Sequence, residues 1–421
     1  MKEKFYTDLE GLLKIPSVSV DGDGEYPFGK DCADALDYVL GLCESYGFRT
    51  KKCGNMLGWA EVGEGEEMIG ILAHLDVVPA SGDWDYPAYG LTRVKVDGEE
   101  RLIGRGVTDD KGPAMICIHA MKALVDCGMP LTRRVRIIFG LTEERGEWLD
   151  MKYYCENEEM PTFGFTPDAS FPVGYAEKGI AVFELKMPLP EAGVNAVSGG
   201  TASNMVPDYC ECELGGSKLT ATGVSAHGST PALGVNAIVS LMSEINASSP
   251  CGLSEFIVKK IGMSCDGSGL GICGSDAASG ALTLNLGVIE VRGDEVVMTI
   301  DIRYPVTKDY GSIVTILEAN CRQYGVTVAE AGHKGPVYIE KDGALITALT
   351  EVFNDVTGLE AEPISMGGGT YARAMPNIVS FGPAMPGAVE TAHQKNEYTT
   401  VSDVDKAFRV YANALLRLMD I

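Results

Sequence analysis

Met68-Ile69-Gly70-Ile71-Leu72-Ala73-His74-Leu75-Asp76 runs through six apolar or small residues and then presents an imidazole and a carboxylate. A short, unbroken apolar run suits a strand covered on both faces, and such strands belong to sheets with helices on either side. Upstream, Asp31 is placed to cap a helix reaching about Ser45, with Gly47 as its stop. Downstream, Pro113 suits the first position of a helix ending near Gly128, where its missing N–H would have had no partner. Residues 134–141 read as a further strand, alternating and then apolar. Strands separated by helices predict an α/β fold, a catalytic domain with a mostly parallel central sheet flanked by helices.

The middle of the chain has a different character. Residues 180–186 and 296–302 alternate with the period of a half-buried strand, and helices are expected over 235–247 and 310–324. After Lys334-Gly335-Pro336 the helix-strand alternation returns, with helices near 345–356 and from about Ser402. The simplest architecture has a catalytic domain in two parts, 1–178 and 336–421, with an inserted α+β lid domain over 179–335.

Composition narrows the function classes. Of 421 residues, 59 are acidic and 34 basic, a formal charge of −25. That surface repels phosphate backbones and anionic lipid, which excludes nucleic acid and membrane partners. No apolar run approaches the ~20 residues of a membrane helix, and the start, Met1-Lys2-Glu3-Lys4-Phe5-Tyr6, has no signal-peptide core. Twelve scattered cysteines without a CxxC pair point to reduced thiols, so a cytoplasmic protein is expected.

Five segments carry chemistry, four of them at the ends of predicted strands, where open α/β sheets place their sites. In His74-Leu75-Asp76 the two polar side chains lie two residues apart and face one way, so the carboxylate can hold one ring nitrogen while the other ligates a metal. Gly104-Arg105-Gly106-Val107-Thr108-Asp109-Asp110-Lys111-Gly112-Pro113 sets paired aspartates among glycines that permit a tight backbone. Glu143-Glu144 follows an apolar strand; adjacent side chains diverge, so one can bind a metal while the other faces water. Asp168 lies in Thr166-Pro167-Asp168-Ala169, and His393 in a loop-like stretch ending Asn396-Glu397. Singly, each could be an ordinary turn, cap or surface pair. Together they place two of the five histidines among carboxylates, a donor set that suits zinc, with manganese or cobalt as substitutes.

In order and spacing these segments closely resemble the di-zinc metallopeptidases that include PepV-type dipeptidases, carboxypeptidase G, acetylornithine deacetylase and succinyl-diaminopimelate desuccinylase. The 104–113 segment, Phe163-Gly164-Phe165-Thr166-Pro167-Asp168-Ala169 and Gly368-Gly369-Thr370-Tyr371-Ala372-Arg373 look most like the PepV-type branch. The resemblance implies two divalent ions, one held by His74 and Asp168, the other by Glu144 and His393, with Asp109 bridging. It also implies that Asp76 orients His74, that Glu143 is the general base on a metal-bound water, and that the Asp109-Asp110 bond is cis. In the lid, Ala226-His227-Gly228-Ser229 resembles the motif whose histidine stabilises the oxyanion, and Asn204 matches a substrate-binding asparagine. Arg373 matches a residue that grips the substrate carboxylate. His119 and His333 have no counterpart; the first is expected inside a helix and the second in a linker. Arg145, after the paired glutamates, departs from a family pattern that often has a small residue, and could restrict or recharge a pocket.

The expected activity is metal-dependent cleavage of the amide bond of dipeptides, by a small-molecule hydrolase acting as a monomer or homodimer. A deacylase of N-acetyl or N-succinyl amino acids on the same scaffold is the alternative. A non-catalytic binding protein would have eroded ligands, and all five are present with Asp76 and Glu143.

Overall fold

The computed structural model describes residues 2–421. The chain opens with helices α1 (Lys2–Leu13) and α2 (Lys30–Ser45), then strands β1 (Arg49–Cys53), β2 (Leu57–Val62) and β3 (Met68–His74). A hairpin of β4 (Thr92–Val96) and β5 (Glu99–Ile103) leads into helix α3 (Lys111–Asp126). Strand β6 (Arg134–Gly140), helix α4 (Leu149–Asn157) and strand β7 (Phe163–Thr166) follow. Asp31 does not cap α2 but lies in its first turn; Gly29 precedes the helix, and its φ of 93° is the left-handed geometry that turns the chain into it. Pro113 is the third residue of α3 rather than the first, still within the turn whose N–H groups need no helical partner.

The chain divides into two compact units, each with its own sheet. The first comprises the described residues up to Tyr175 with Ile339–Ile364 and Thr370–Ile421. In its sheet the strands run in the order β1-β2-β6-β3-β7 and then Ile378–Ser380. Strand β3 is parallel to both β6 and β7, and β7 is parallel to Ile378–Ser380. All seven residues of β3 are buried, as its composition requires of a central strand. Helix α3 packs on α1 and on the terminal helix Val401–Arg417. That helix buries Val404, Ala407, Val410, Tyr411, Ala414 and Leu415, a stripe at helical spacing. A separate small sheet pairs Tyr398–Thr400 with β5, antiparallel, and β5 with β4.

The second unit comprises Ala176–Tyr338 with Ser365–Gly369. Its sheet has seven strands, every pairing antiparallel, from Ser217–Thr222 at one edge to Thr327–Lys334 at the other. Strand Gly179–Pro188 buries alternate residues, among them Phe183, Leu185 and Met187, beneath helices Ala237–Ser248 and Tyr310–Arg322. His333 lies in the edge strand Thr327–Lys334 and not in a linker. Its ring stacks on Tyr310 at 3.6 Å and meets the Tyr304 hydroxyl at 2.8 Å. His119, inside α3, approaches Asp8 Oδ2 at 3.0 Å, which gives it a structural partner.

Candidate active site

Parallel pairing sets the carboxyl ends of β6, β3 and β7 side by side, and the candidate residues follow those ends closely. His74 is the last residue of β3, Glu143 lies three beyond the end of β6, and Asp168 two beyond that of β7. Strand β5 delivers Asp109 to the start of α3. Tyr398 pairs with Ile103 of β5, which draws the loop carrying His393 alongside.

Two groups of potential ligands result. His74, Asp109 and Asp168 form one, Asp109, Glu144 and His393 the other, and within each the donor atoms lie within 4.8 Å of one another. Asp109 belongs to both. Its Oδ1 is 2.9 Å from His74 Nε2 and its Oδ2 is 3.0 Å from His393 Nε2. Asp168 Oδ2 lies 3.6 Å from His74 Nε2, and Glu144 Oε2 lies 3.1 Å from His393 Nε2. The bond between Asp109 and Asp110 is cis.

Neighbouring groups hold these side chains in place. The nearest oxygen to His74 Nδ1 is the backbone carbonyl of Asp76 at 2.9 Å, whereas the Asp76 carboxylate stands at 3.4 Å. That carboxylate instead accepts from the amides of Glu143 (3.2 Å) and Glu144 (3.1 Å). Asp150, in the first turn of α4, accepts from the two preceding amides, Leu141 at 2.5 Å and Thr142 at 2.9 Å. Two buried carboxylates thus take four successive N–H groups and fix the turn that bears the paired glutamates. Asp150 also receives the Tyr371 hydroxyl at 2.6 Å, and the Tyr371 ring stands edge-on to His74. Asp110 turns away from its neighbour and accepts from the His74 amide at 3.0 Å, joining the end of β3 to the start of α3. Gly112 is required here, because a β-carbon would meet the Val107 carbonyl oxygen at 2.0 Å.

Burial and like charge dominate the electrostatics. Burial would lower the pKa of His74, but Asp109, Asp168 and Asp76 outweigh it and raise the value well above normal. Burial opposes His393 too, yet Asp109 and Glu144 push it up to about 11. Burial and Asp168 raise Glu143 well above the usual carboxylate range. The donor set fits divalent ions: His74 Nε2 and Asp109 Oδ1 are buried, close together and without a hydrogen-bond partner. Nitrogen and carboxylate oxygen lone pairs converging in this way match zinc-type ligation. Glu143 belongs to neither ligand group.

The remaining candidates lie as follows. Asn204 and His227 belong to the second unit and meet there: Met205 bridges to His227, and the Gly228 amide donates to the Asn204 carbonyl at 2.6 Å. Arg373 is half-buried in the short turn Tyr371–Arg373, two residues from the ring that abuts His74. Arg145 pairs with Asp21 Oδ1 at 2.5 Å and lies 3.8 Å from Glu147, so carboxylates already meet its charge. Asp150 and Tyr371 were not among the predicted site residues. A helix-turn aspartate and a tyrosine have no local signature, and only their meeting across 221 positions marks them.

A histidine-carboxylate centre at the strand ends of an α/β unit, with His74 buried and His393 at its open side, is the arrangement of a metallopeptidase-type hydrolase. Residues 70–417 match peptidase family M20/M25/M40, and the chain belongs to this family. Among its relatives, "Putative dipeptidase YtjP" of Bacillus subtilis is 34% identical, over 99% of this chain and 97% of that protein. A protein of the same designation from Staphylococcus saprophyticus, SSP1012, is 30% identical over 98% and 96%. Human carnosine dipeptidase 1 shares the fold with a TM-score of 0.67 at 16% identity, covering 100% of this chain and 97% of that one. Bacillus subtilis YXEP, described as a dinuclear metal binding peptidase of the same family, has a TM-score of 0.54 at 14% identity, covering 99% of each chain. Among the described residues no helix is long and apolar enough to cross a membrane.

Proposed function

We propose that this chain is a di-metal dipeptidase, hydrolysing the amide bond of dipeptides. The observation that carries this reading is one carboxylate, Asp109, shared by two ligand groups, with Glu143 beside them and in neither. His74, Asp109 and Asp168 would hold one ion and Asp109, Glu144 and His393 the other, zinc being the best match to the donors. When bound, the ions supply Lewis acidity toward the scissile carbonyl and the attacking water. Glu143 accepts the proton of that water as its oxygen bonds to the carbonyl carbon, then passes it to the departing amine as the C–N bond breaks. Asp76 keeps Glu143 and Glu144 in register through their amides. Arg373 is assigned to the substrate carboxylate, Asn204 to substrate binding and His227 to the oxyanion, assignments supported by family resemblance. The second unit is assigned the part of a lid.

Purified protein should contain about two divalent ions per chain, lose activity to a chelator, and cleave a dipeptide panel faster than N-acetyl amino acids. Full turnover by metal-stripped protein would refute the reading. Preference for the acylated amino acids would make the enzyme a deacylase on this scaffold.

A further inference from the structure

Arg105 and Glu397 form an ion pair of 2.6 Å with both side chains essentially inaccessible, at 1% and 0% exposure. Every polar position of the Glu397 carboxylate is used. Oε2 accepts from Arg105 Nη1 and from the Gly106 amide at 3.1 Å. Oε1 accepts from the Thr108 amide at 2.8 Å and the Thr108 hydroxyl at 2.6 Å. The Glu397 carbonyl accepts from the Gly104 amide at 3.0 Å. One residue, four positions after His393, therefore gathers the turn that ends at Asp109. Arg105 extends the link to the loop beyond His74: its guanidinium lies 5.3 Å from the Trp84 ring, and Nη2 is 3.5 Å from the Pro79 carbonyl.

A buried charge pair is a weak source of stability, because desolvating both ions offsets much of their attraction. A link between two ligand-bearing loops serves another purpose. Asp109 and His393 are 284 positions apart in the chain, and their side chains must hold 3.0 Å although neither belongs to a helix or a strand. His393 has a left-handed φ of 63° and a side chain that is 54% exposed, so packing alone does little to fix it. We infer that Arg105 and Glu397 are positioning residues that set the spacing between Asp109 and His393, and hence the affinity of the Asp109–Glu144–His393 group for its ion. The inference rests on the proposed two-ion reading.

Calorimetric titration of metal-free protein with Zn2+ tests both, separately. Wild-type protein should bind two ions; if it binds fewer, the two-ion reading itself fails. Glu397→Gln keeps the shape but places an NH2 group against N–H donors. It should weaken the ion of the Asp109–Glu144–His393 group by about 10- to 100-fold, the scale of lost support behind metal ligands, and the other ion clearly less. Excess zinc should restore kcat. If Glu397→Gln does not fold, Thr108→Val removes a single donor and should weaken the same ion by about three- to tenfold, the worth of one ordinary hydrogen bond. Two affinities unchanged, or two lowered equally, would overturn the inference. So would a fall in the melting temperature of the metal-free protein with zinc affinity intact, which marks a purely structural pair.

Discussion

Asp109 presents one oxygen to each histidine, while Glu143 and Glu144, adjacent in sequence, divide so that only Glu144 joins a ligand group. Exchange of each glutamate should therefore produce different defects. Glu143→Gln should retain both ions yet lose about 10²- to 10⁴-fold in kcat, the scale of general-base catalysis. Glu144→Gln should reduce zinc content itself. Metal analysis beside steady-state kinetics distinguishes them, and the reverse pattern would exchange the two assignments. Arg373 carries a second expectation, because a guanidinium grips a carboxylate through two parallel bonds and an ammonium does not. Arg373→Lys should cost about 1–3 kcal/mol in kcat/KM on free dipeptides, the worth of a charged hydrogen bond. C-terminally amidated substrates should be nearly indifferent to the change; equal losses on both would show that Arg373 does not read the carboxylate.

Elements place these residues through close backbone approaches. Strand β6 ends on Gly140, and a β-carbon there would meet the Tyr371 hydroxyl oxygen at 2.2 Å and ring atoms at 2.6 and 2.7 Å. The ring cannot retreat freely, because it lies edge-on between His74 and Trp148 while its hydroxyl is bound to Asp150. Gly140→Ala should thus displace Tyr371, loosen Asp150 and disturb the turn carrying Glu143. We expect a destabilisation of about 1–3 kcal/mol, typical of an overpacked core, measurable by denaturant unfolding. A wild-type unfolding midpoint in Gly140→Ala would show that the contact at β6 is slack.

Across the first unit, folding collects Asp110, Glu143, Glu144 and Asp168 around Asp109, where burial and neighbouring carboxylates raise their pKa values, so their negative charges oppose folding unless cations offset them. Metal should accordingly raise thermal stability. At a free concentration about one hundred times Kd, a bound ion contributes about 2.7 kcal/mol, so chelation should lower Tm and zinc should restore it. A Tm insensitive to chelator would separate the centre from folding. How much of this was legible beforehand follows the range of the forces involved. The apolar run ending at His74, the alternation at 180–186 and the ligand types are written in neighbouring residues, because side-chain period and donor chemistry are local properties. Asp31 and Pro113 were read correctly as helix-start signals but two positions off, since local chemistry favours a terminus without selecting its turn. His333 looked like linker because its stacking on Tyr310 is a contact between a helix and an edge strand. The amide clamp by Asp76 and Asp150, and the Arg105–Glu397 pair spanning 292 positions, exist only once β3, β6 and the small sheet lie side by side. The sequence by itself determined the central strands, the candidate ligand types and the family; the tertiary structure alone decided which buried carboxylates clamp the candidate site, because a carboxylate chooses its donors by proximity and proximity is made by the pairing of distant strands.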